Sequence, residues 1–341
     1  MKQPKISIIV PIYKAEDSIR RLLDSFEKQP CQDVEFFLID NGSPDKCGEI
    51  CQEYVNRDSR FILSTLKDNI GYIKARKYGI ENCNGTYVGF ADSDDYVPNN
   101  CYKEVLECIN NENPDLILCS YFTVNGESVV ENHCAVNEGV YRGDEIEKDI
   151  MPSIYGFNDN ISFLNGFMWK NFYKKDICQL NSINFIEELK PYEDQVFNID
   201  FAKECNCIAV VDIPVYYYVF NENSITVKNL MNFDCDSEYN RLINLHNEKI
   251  KRDYDNKYSE FIANLFLVFI YSGLLHAGKN CDEFGKKFEK QYIDYIIEHS
   301  SITNIKYRIV KQCIIKNNYF IFKLYSVLLK LYQKLRKVIN S

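Results

Sequence analysis

The chain has 341 residues, a net charge of −9 and 14 cysteines. This length allows about two domains of about 150 residues each with a sizeable core, so the fold need not depend on disulfides or structural metals. The negative charge argues against general nucleic-acid binding. The cysteines lack paired spacing and a strand pattern begins almost at Met1, so we expect a reducing cytoplasm. Cys205 and Cys207, the closest pair, have no matching Cys or His pair nearby and are expected to be plain thiols.

Short apolar runs alternate with helix-like stretches in the N-terminal part of the chain. The pattern predicts strands at 6–10, 34–39, 61–63, 86–91 and 116–119. It predicts helices between them at 16–26, 45–55, 73–82 and 99–110. Strands that are apolar on both faces and separated by helices indicate an α/β fold, in which a Rossmann-like, mostly parallel sheet is flanked by helices.

The pattern changes twice further along the chain. From about 125 to 227 it loosens into segments rich in Gly, Asn and aromatic residues, which we expect to form a second, substrate-facing layer. Beyond 229 helical spacing dominates, and 261–275 is expected to be a buried helix. The predicted regions are therefore 1–122, 123–228 and a helical C-terminal extension over 229–341.

Three polar motifs follow strands of the predicted sheet at the point where each strand ends. In parallel sheets, ligands bind at the carboxyl ends of the strands because the loops converge there and helix N-termini point N–H groups at anions. Three motifs at such ends predict one binding site. They are Pro11-Ile12-Tyr13, Asp40-Asn41-Gly42-Ser43 and Asp92-Ser93-Asp94-Asp95.

The run Asp92-Ser93-Asp94-Asp95 places three carboxylates within four residues. Carboxylates this close repel each other unless a cation or solvent screens them. A hard divalent cation held by one or two of them, with water and phosphate oxygens completing its shell, fits this pattern. A solvated acidic turn fits it equally well, so the motif alone leaves both interpretations open.

Three further motifs carry weaker signals. Asp40 is suited to accept the imide N–H of a uracil or thymine ring, although the following residues also form a good helix start. Lys74 and Arg76 lie in the first turns of a helix, where cations favour a nearby anion such as a diphosphate. Glu193 and Asp194 are adjacent carboxylates beside apolar residues, so one pKa can rise toward that of a general base; an acidic first helical turn is the alternative.

Taken together, these motifs resemble the bacterial family 2 glycosyltransferases, which are inverting enzymes with the A-type nucleotide-sugar fold. The resemblance spans about residues 5 to 227 and includes Met168-Trp169-Lys170, Tyr192-Glu193-Asp194 and Tyr216-Tyr217-Tyr218. It implies a nucleotide-sugar-binding subdomain over 1–122 and an acceptor-binding subdomain over 123–228. Residues 229–341 would form a helical region with a basic amphipathic tail.

The resemblance also implies a role for individual residues. Asp194 would be the catalytic base, and Asp94 would be the direct ligand of Mn²⁺ or Mg²⁺. Trp169 and Glu193 would shape the acceptor side, and Asp92 would face the ribose or a metal-bound water. The nucleotide sugar would be bound by Pro11, Ile12, Tyr13, Glu16, Asp40, Asn41, Gly71, Arg76, Asp92 and Ser93.

The reaction implied by the resemblance moves a sugar from a nucleotide-diphosphate sugar, with UDP-sugar expected, to a hydroxyl of a glycan or lipid-linked glycan in bacterial surface polysaccharide synthesis. A catalytically degenerate relative that binds a glycan or a partner is the open alternative. A nucleotidyltransferase is disfavoured because residues 11–16 lack a Gly-rich basic signature. Two positions depart from the family, since Val219-Phe220-Asn221 stands where many relatives have Arg-x-Arg and Asn41 stands where a second Asp is common.

The C-terminal end is strongly basic. Ser301–Ser341 contains nine Lys or Arg and no Asp or Glu, which leaves a charge of −18 on the first 300 residues. Apolar residues recur at helical spacing through 305–339, and no apolar run approaches the roughly 20 residues needed to cross a bilayer. A basic amphipathic helix fits an anionic membrane surface, and packing on the acidic remainder of the chain fits as well. We therefore expect a cytoplasmic protein, with a peripheral place on the inner face of the cytoplasmic membrane as the open alternative.

Overall fold

The structure is a computed structural model, and its main described ranges are 3–155, 166–180, 193–221, 290–300 and 305–320. Shorter described pieces are 182–183, 185, 240, 243–244, 247, 259–260, 263–264, 266–267, 270–271, 274 and 324. The chain separates into two compact units. The first comprises most of residues 1–222, and the second comprises most of residues 223–341.

The first unit is built around one sheet of nine strands. The strands are β1 Ile6–Ile12, β2 Val34–Asn41, β3 Phe61–Leu66, β4 Tyr87–Phe90, β5 Leu116–Asn125, β6 Ser128–Asn132, β7 Gly139–Arg142, β8 Asn171–Lys174 and β9 Cys207–Val219. The helices are α1 Ile19–Glu27, α2 Cys47–Arg57, α3 Tyr72–Asn82, α4 Tyr102–Glu112, α5 Met151–Tyr155, α6 Lys175–Cys178 and α7 Glu193–Lys203, and a π-helical turn spans Ile146–Ile150.

The sheet has a parallel half and a mixed half. Its strand order is β3-β2-β1-β4-β8-β5-β9-β7, and β6 pairs with β5. The first four strands in this order are mutually parallel. In the other half β8 is antiparallel to both of its neighbours, β5 and β9 are parallel, and β6 and β7 run antiparallel to their partners. The predicted Rossmann-like arrangement is confirmed, and the antiparallel strands lie beyond β4.

The predicted elements of the first 120 residues are present with shifts of a few residues at their ends. Strands β6 to β9 were not predicted: β6, β7 and β8 are only four or five residues long, and β9, although rich in apolar residues, follows a segment without a regular pattern. The segment expected to form a separate layer therefore contributes four strands to the same sheet. As a result, the carboxyl ends of β1, β2 and β4 face a site that the mixed half also helps to build.

Helix α3 lies unusually close to the parallel half of the sheet. A Cβ on Gly79 would approach Ile9 Cγ2 to 2.4 Å and Ile39 Cδ1 to 3.0 Å, so this helix position has no room for a side chain. The opposite side of the sheet is packed by rings, with Phe26 stacked on Phe36 at 4.3 Å between centroids. The parallel half is thus covered on both faces, as its apolar strands require.

The described part of the second unit is helical, with α8 at Lys290–His299 and α9 at Ile305–Ile315. The described residues between 259 and 274 are also helical, which agrees with the predicted buried helix; those that are buried and apolar are Ala263, Phe266, Leu267, Ile270 and Leu274. The predicted basic amphipathic helix is interrupted, because Asn317 has a φ of +47° and helical structure resumes at Phe320. Among the residues that the structure describes, no helix is long and apolar enough to cross a membrane.

Candidate active site

Arg76 on α3 joins the two halves of the site. It is 4% exposed, and its two terminal nitrogens donate to different carboxylates. One bond runs to Asp194 Oδ1 at 2.7 Å and the other to Asp92 Oδ1 at 3.0 Å. The forked guanidinium suits this task because its donors are fixed in one plane. Two of the predicted site carboxylates, 102 positions apart in the chain, are thereby held on one cation.

Asp194 combines burial with access. Its side chain is 19% exposed, and its Oδ2 accepts a long bond of 3.4 Å from the Met168 backbone N–H. Loss of hydration raises the pKa of this carboxyl to about 6, against the attraction of Arg76 and with the help of the Glu193 and Asp92 charges. The group is therefore mostly ionised at pH 7, yet it retains a basicity above that of an ordinary Asp.

Glu193 lies beside Asp194 at the start of α7 and is held by a tyrosine. Tyr72 donates its hydroxyl to Glu193 Oε1, and Glu193 is 8% exposed. Within the described part of the chain, the buried Oε2 of Glu193 has no hydrogen-bond partner. The pKa of Tyr72 is raised by burial and by the Glu193 charge, so the phenol keeps its proton and acts as a donor.

The third carboxylate of the acidic run, Asp95, is hydrogen-bonded to other parts of the protein. It is 1% exposed, and both of its oxygens are occupied. Tyr216 donates its hydroxyl to Oδ2 at 2.9 Å, and the Val219 backbone N–H donates to Oδ1 at 2.7 Å. The same Tyr216 oxygen accepts the Asp92 backbone N–H at 2.8 Å. Asp95 thus ties the end of β9 to the acidic loop.

Asp94, the remaining carboxylate of the run, is partly exposed, and the Asn221 side chain hydrogen-bonds it. Burial, and then the nearby Asp92 charge, raise its pKa, against the Asn221 hydrogen bond and the Arg21 charge. Asp92 already bonds Arg76, and Asp95 is saturated. One carboxylate, with a second at its side, fits a divalent ion that takes its other ligands from phosphate and water. Among the described residues, no group of three or more His, Cys, Asp or Glu side chains has the geometry of a metal site.

Helix α1 supports the backbone of the acidic loop from the other side. Ser18 donates its hydroxyl to the Ser93 carbonyl at 3.0 Å, and Arg21 donates to the Asp94 carbonyl. The Arg21 guanidinium also lies 5.3 Å from the Tyr96 ring centroid. These contacts fix main-chain atoms of the loop and do not involve the Ser93 or Asp94 side chains.

The loops after β1 and β2 are bonded to each other. The Lys14 N–H donates to Ser43 Oγ at 2.8 Å, and the Ser43 hydroxyl donates to Asp45 Oδ1 at 2.5 Å. The Glu16 N–H donates to Asp45 Oδ2 at 3.1 Å, and Glu16 Oε2 accepts the Lys46 N–H at 3.3 Å. Glu16 is exposed and spans the two loops.

The residues predicted after β1 differ in what they offer a ligand. Tyr13 is 41% exposed, and the Lys14 ammonium lies 5.3 Å from its ring centroid. Pro11 is partly exposed, whereas Ile12 is fully buried, so the predicted ligand contact of Ile12 has no exposed surface. A flat ligand at this strand end would therefore meet Tyr13 and Pro11.

Asp40 and Asn41 organise the neighbouring strand end. Asp40 is 6% exposed and accepts the Ser43 N–H at 2.9 Å through Oδ1. A Cβ on Gly48 would lie 2.7 Å from Asp40 Oδ2, so that glycine leaves space beside the second oxygen. Asn41 accepts the Ile70 N–H at 3.0 Å, which draws the loop before α3 toward β2.

Gly42 and Gly71 permit this close approach. Gly42 has a φ of +65°, and a Cβ there would lie 2.7 Å from the Asp68 backbone. Gly71, the residue before α3, has a φ of +84°, and its N–H donates to Asn69 Oδ1 at 2.8 Å. Both conformations favour glycine. The predicted nucleotide-binding residues of the parallel half therefore converge at one edge of the sheet.

Trp169 is surrounded by other rings and is 5% exposed. Tyr216 stacks on it at 4.4 Å and Phe167 at 4.8 Å between centroids. Tyr121 meets it edge to face at 4.9 Å, and Tyr218 lies nearly parallel at 5.7 Å. The predicted acceptor-side Trp is thus a packing centre, and the partly exposed rings around it are Phe167 and Tyr218.

Sequence reasoning missed two residues that hold the site. Tyr72 carried no predicted role although it supports Glu193, and Tyr216 was noted only as part of a tyrosine run. Their signal is weak because a tyrosine beside an acidic motif is common in any aromatic-rich chain. The contacts that reveal them span 121 and 124 positions of sequence.

Comparison with known proteins agrees with this geometry. The model of "Glycosyl transferase family 2" matches residues 7–163. An uncharacterized glycosyltransferase of Haemophilus influenzae is 40% identical over 208 residues, which cover 60% of this chain and 74% of that protein. The chain belongs to glycosyltransferase family 2.

Two further relatives of this family 2 glycosyltransferase are informative. The uncharacterized glycosyltransferase EpsJ of Bacillus subtilis is 29% identical over 223 residues, 65% of this chain and 63% of EpsJ. TarS of Staphylococcus aureus, a poly(ribitol-phosphate) beta-N-acetylglucosaminyltransferase, is 29% identical over 216 residues, 63% of this chain and 35% of TarS. The match to EpsJ therefore spans less than two thirds of that relative's length.

The fold of TarS is shared with this family 2 glycosyltransferase. The crystal structure of TarS residues 1–349 in complex with UDP-GlcNAc aligns with a TM-score of 0.57 and 21% identity, covering 93% of each chain. This likeness confirms the predicted A-type nucleotide-sugar fold. The individual site residues remain predictions that rest on the geometry described above.

Proposed function

We propose that this family 2 glycosyltransferase moves a sugar from a UDP-sugar to a hydroxyl of a glycan or lipid-linked glycan, with inversion at the anomeric carbon. The observation that carries the proposal is the Arg76 bridge, which holds Asp194 next to the acidic loop. Bacterial surface polysaccharide is the proposed product class, and a hexosyl or N-acetylhexosaminyl group is the proposed transferred group. The complex of TarS with UDP-GlcNAc supports a uridine donor.

In the proposed mechanism, Asp194 acts as the general base. Its Oδ2 is the less engaged oxygen, since Oδ1 bonds Arg76 at 2.7 Å. The acceptor hydroxyl gives its proton to Asp194 while its oxygen attacks the anomeric carbon. The bond from that carbon to the diphosphate oxygen breaks, and the nucleotide diphosphate leaves from the opposite face. Base catalysis of this kind contributes about 10²- to 10⁴-fold.

A divalent ion, Mn²⁺ or Mg²⁺, is proposed to bind at Asp94 with Asp92 beside it. The partial exposure of Asp94 and the saturation of Asp95 fit an ion held by few protein ligands. When bound, such an ion neutralises charge on the leaving diphosphate. Arg76 would meanwhile keep Asp92 oriented and Asp194 ionised.

The proposed division of labour follows the three predicted regions. Residues 1–122 would bind the donor through the strand-end loops that include Tyr13, Asp40 and Gly71. Residues 123–228 would bind the acceptor and contribute the base. Residues 229–341 would carry the helical extension with the basic tail.

We also propose that the basic tail contacts an anionic membrane from the cytoplasmic side. Phe320 and Leu324 are 67% and 54% exposed and lie four residues apart, the spacing that places two helical residues on one face. The nine cations of Ser301–Ser341 would supply attraction to acidic lipids. Sedimentation with phosphatidylglycerol vesicles at low salt should retain the full chain. If the double variant Phe320→Ser, Leu324→Ser sediments equally well, the apolar face plays no part.

The main proposal is tested by a panel of nucleotide sugars. The purified full chain is incubated with each donor and Mn²⁺, Mg²⁺ or a chelator, and nucleotide release is measured. We expect release from one or more UDP-sugars, and loss of release with the chelator and in Asp94→Ala. Glu107→Ala, which changes an exposed carboxylate on α4, serves as the matched control. Absence of release from every donor would favour the degenerate, glycan-binding alternative.

A further inference from the structure

Two partly exposed rings, Phe167 and Tyr218, are next in sequence to residues that bond the proposed base and the acidic loop. Phe167 precedes Met168, whose backbone N–H donates to Asp194 Oδ2 at 3.4 Å. Tyr218 precedes Val219, whose N–H donates to Asp95 Oδ1 at 2.7 Å. Each ring is therefore one residue away from a main-chain contact to a site carboxylate.

The two rings are held parallel by a buried support. Their centroids are 6.2 Å apart with an interplanar angle of 19°, and Trp169 lies nearly parallel to both. Trp169 is 5% exposed, whereas Phe167 and Tyr218 keep part of their surface open. The support fixes the rings, so little conformational entropy would be lost when a ligand stacks on them.

The charges near the rings favour a neutral ligand. Asp92, Asp94 and Asp95 lie close enough to raise the pKa of Tyr218, after the larger effect of burial. In the described part of the chain, the cations of the site are already engaged. Lys170 is 4% exposed and donates to the Cys119 carbonyl at 3.4 Å. Arg76 bonds Asp92 and Asp194, and Arg21 bonds the Asp94 carbonyl.

We propose that Phe167 and Tyr218 form an acceptor subsite that stacks the apolar face of a cyclic sugar, and that the acceptor is a pyranose-containing glycan and not a polyanionic alditol-phosphate chain. This inference rests on the proposed function and specifies its acceptor. A pyranose ring presents C–H groups on one face, which pack well against the electron-rich face of an aromatic ring. An alditol phosphate lacks that rigid face and would bring further negative charge to a site that already contains the acidic loop and would hold the donor diphosphate.

The chain offers a matched control on the same strand. Tyr217 is adjacent to Tyr218 and also partly exposed, but it stacks on Tyr96 at 4.4 Å and Phe122 at 4.8 Å, away from Trp169. Tyr217→Leu therefore removes an equal ring from a different stack. Tyr218→Phe keeps the ring of the proposed subsite and removes only its hydroxyl.

The experiment uses the full chain with the donor that the nucleotide-sugar panel identifies. One acceptor pool contains octyl β-glycopyranosides and the other contains ribitol-phosphate and glycerol-phosphate oligomers. Products are detected by mass spectrometry, and donor hydrolysis is measured without acceptor. We expect transfer to the pyranoside pool. Tyr218→Leu and Phe167→Leu should each raise the pyranoside KM about tenfold while donor hydrolysis stays within about twofold. Tyr218→Phe and Tyr217→Leu should leave that KM near the wild-type value.

Three outcomes would overturn the proposal. They are transfer to the alditol phosphates alone, donor hydrolysis without transfer to any pyranoside, and equal KM effects of Tyr218→Leu and Tyr217→Leu. In each of these cases the donor is still consumed, so the proposed glycosyltransferase function survives. Absence of metal-dependent nucleotide release from every donor would instead contradict the proposed function itself.

Discussion

The parallel and mixed halves of the sheet position their functional side chains by different physical means. In the parallel half, loops at neighbouring strand ends are bonded through short polar contacts, such as the 2.8 Å bond from the Lys14 N–H to Ser43 Oγ. In the mixed half, the side chains are positioned by aromatic stacking around Trp169 and by hydrogen bonds to buried carboxylates. Polar loops suit a ligand of defined hydrogen-bonding pattern, whereas stacked rings suit a ligand recognised by shape.

The two halves meet at Arg76, which originates in the parallel half and binds Asp194 of the mixed half. Donor binding should therefore depend mainly on one half and proton transfer mainly on the other. Substitutions on either side of this connection test whether the division is real.

The largest effect is expected from Asp194→Asn. An amide cannot accept the acceptor proton, so sugar transfer should fall by about 10²- to 10⁴-fold. Donor affinity, measured by calorimetry with UDP and Mn²⁺, should stay near that of the wild type. Asp176→Asn replaces an exposed carboxylate on α6 by an amide and is the control. Wild-type-like turnover in Asp194→Asn would remove this residue from the mechanism.

Arg76→Gln should break the connection between the halves. Arg76 lowers the pKa of Asp194, so loss of its charge raises that pKa further above about 6. Because the base acts in its ionised form, transfer is lost as pH falls through this pKa. The acid limb of kcat/KM should therefore move to higher pH, with about tenfold lower activity at pH 7.

Two controls accompany the Arg76 experiment. Arg20→Gln removes an exposed cation that pairs with Glu53, and it should leave the pH profile unchanged. Arg76→Lys keeps the buried charge but loses the two-pronged guanidinium donor. It should therefore shift the acid limb of the kcat/KM profile less than Arg76→Gln. Thermal unfolding is recorded for each, since breaking a buried pair costs about 3–5 kcal/mol. An unshifted acid limb in folded Arg76→Gln would contradict the assigned pKa and base.

Tyr216→Phe tests the contact between β9 and the acidic loop. The ring and its stack on Trp169 remain, but Asp95 Oδ2 and the Asp92 N–H lose their partner. Leaving buried groups unpaired costs about 1–3 kcal/mol. We expect a lower melting temperature and about fivefold weaker Mn²⁺-dependent UDP affinity. A normal affinity with a lowered melting temperature would confine Tyr216 to stability.

The smallest effect is expected from Asn41→Asp, which introduces the residue common in relatives. Asn41 donates to Asn69 Oδ1 at 3.2 Å, and an aspartate there would lose this donor and place two oxygens together. The loop before α3 should loosen, and the donor KM should rise about two- to threefold with unchanged kcat. A lower donor KM would show that the loop tolerates the acid and that the ligand gains from it.

The parallel half was largely predictable from the sequence because its strands are continuous apolar runs separated by helical patterns. β1, β2 and β4 and the three polar motifs at their ends were therefore recognisable, with boundary shifts of a few residues. In the mixed half, edge strands such as β6 and β7 are short and partly exposed, so their sequences carry no such signal.

Candidate acidic residues could be picked out in the sequence, but the contacts between them could not. The patterns pointed to the acidic run at 92–95 and to the pair Glu193-Asp194, and the resemblance to family 2 assigned roles to Asp92, Asp94 and Asp194 within them. Nothing in the sequence indicated that Arg76 bonds a residue 118 positions away, or that Asp95 accepts a hydrogen bond from Tyr216. Such pairings depend on how helices pack on the sheet, and a pattern within one element does not contain that information.

Gly79 illustrates how that packing depth is set. The helix position needs no unusual backbone angle, so the glycine serves as a spacer that lets α3 settle onto Ile9 and Ile39. Arg76 lies one turn before it and reaches both carboxylates from that depth. A relative with alanine at this position would need a smaller residue opposite it. Positions 9, 39 and 79 should therefore vary together among homologues. Chimaeras that exchange α3 without β1 should lose activity before they lose the fold.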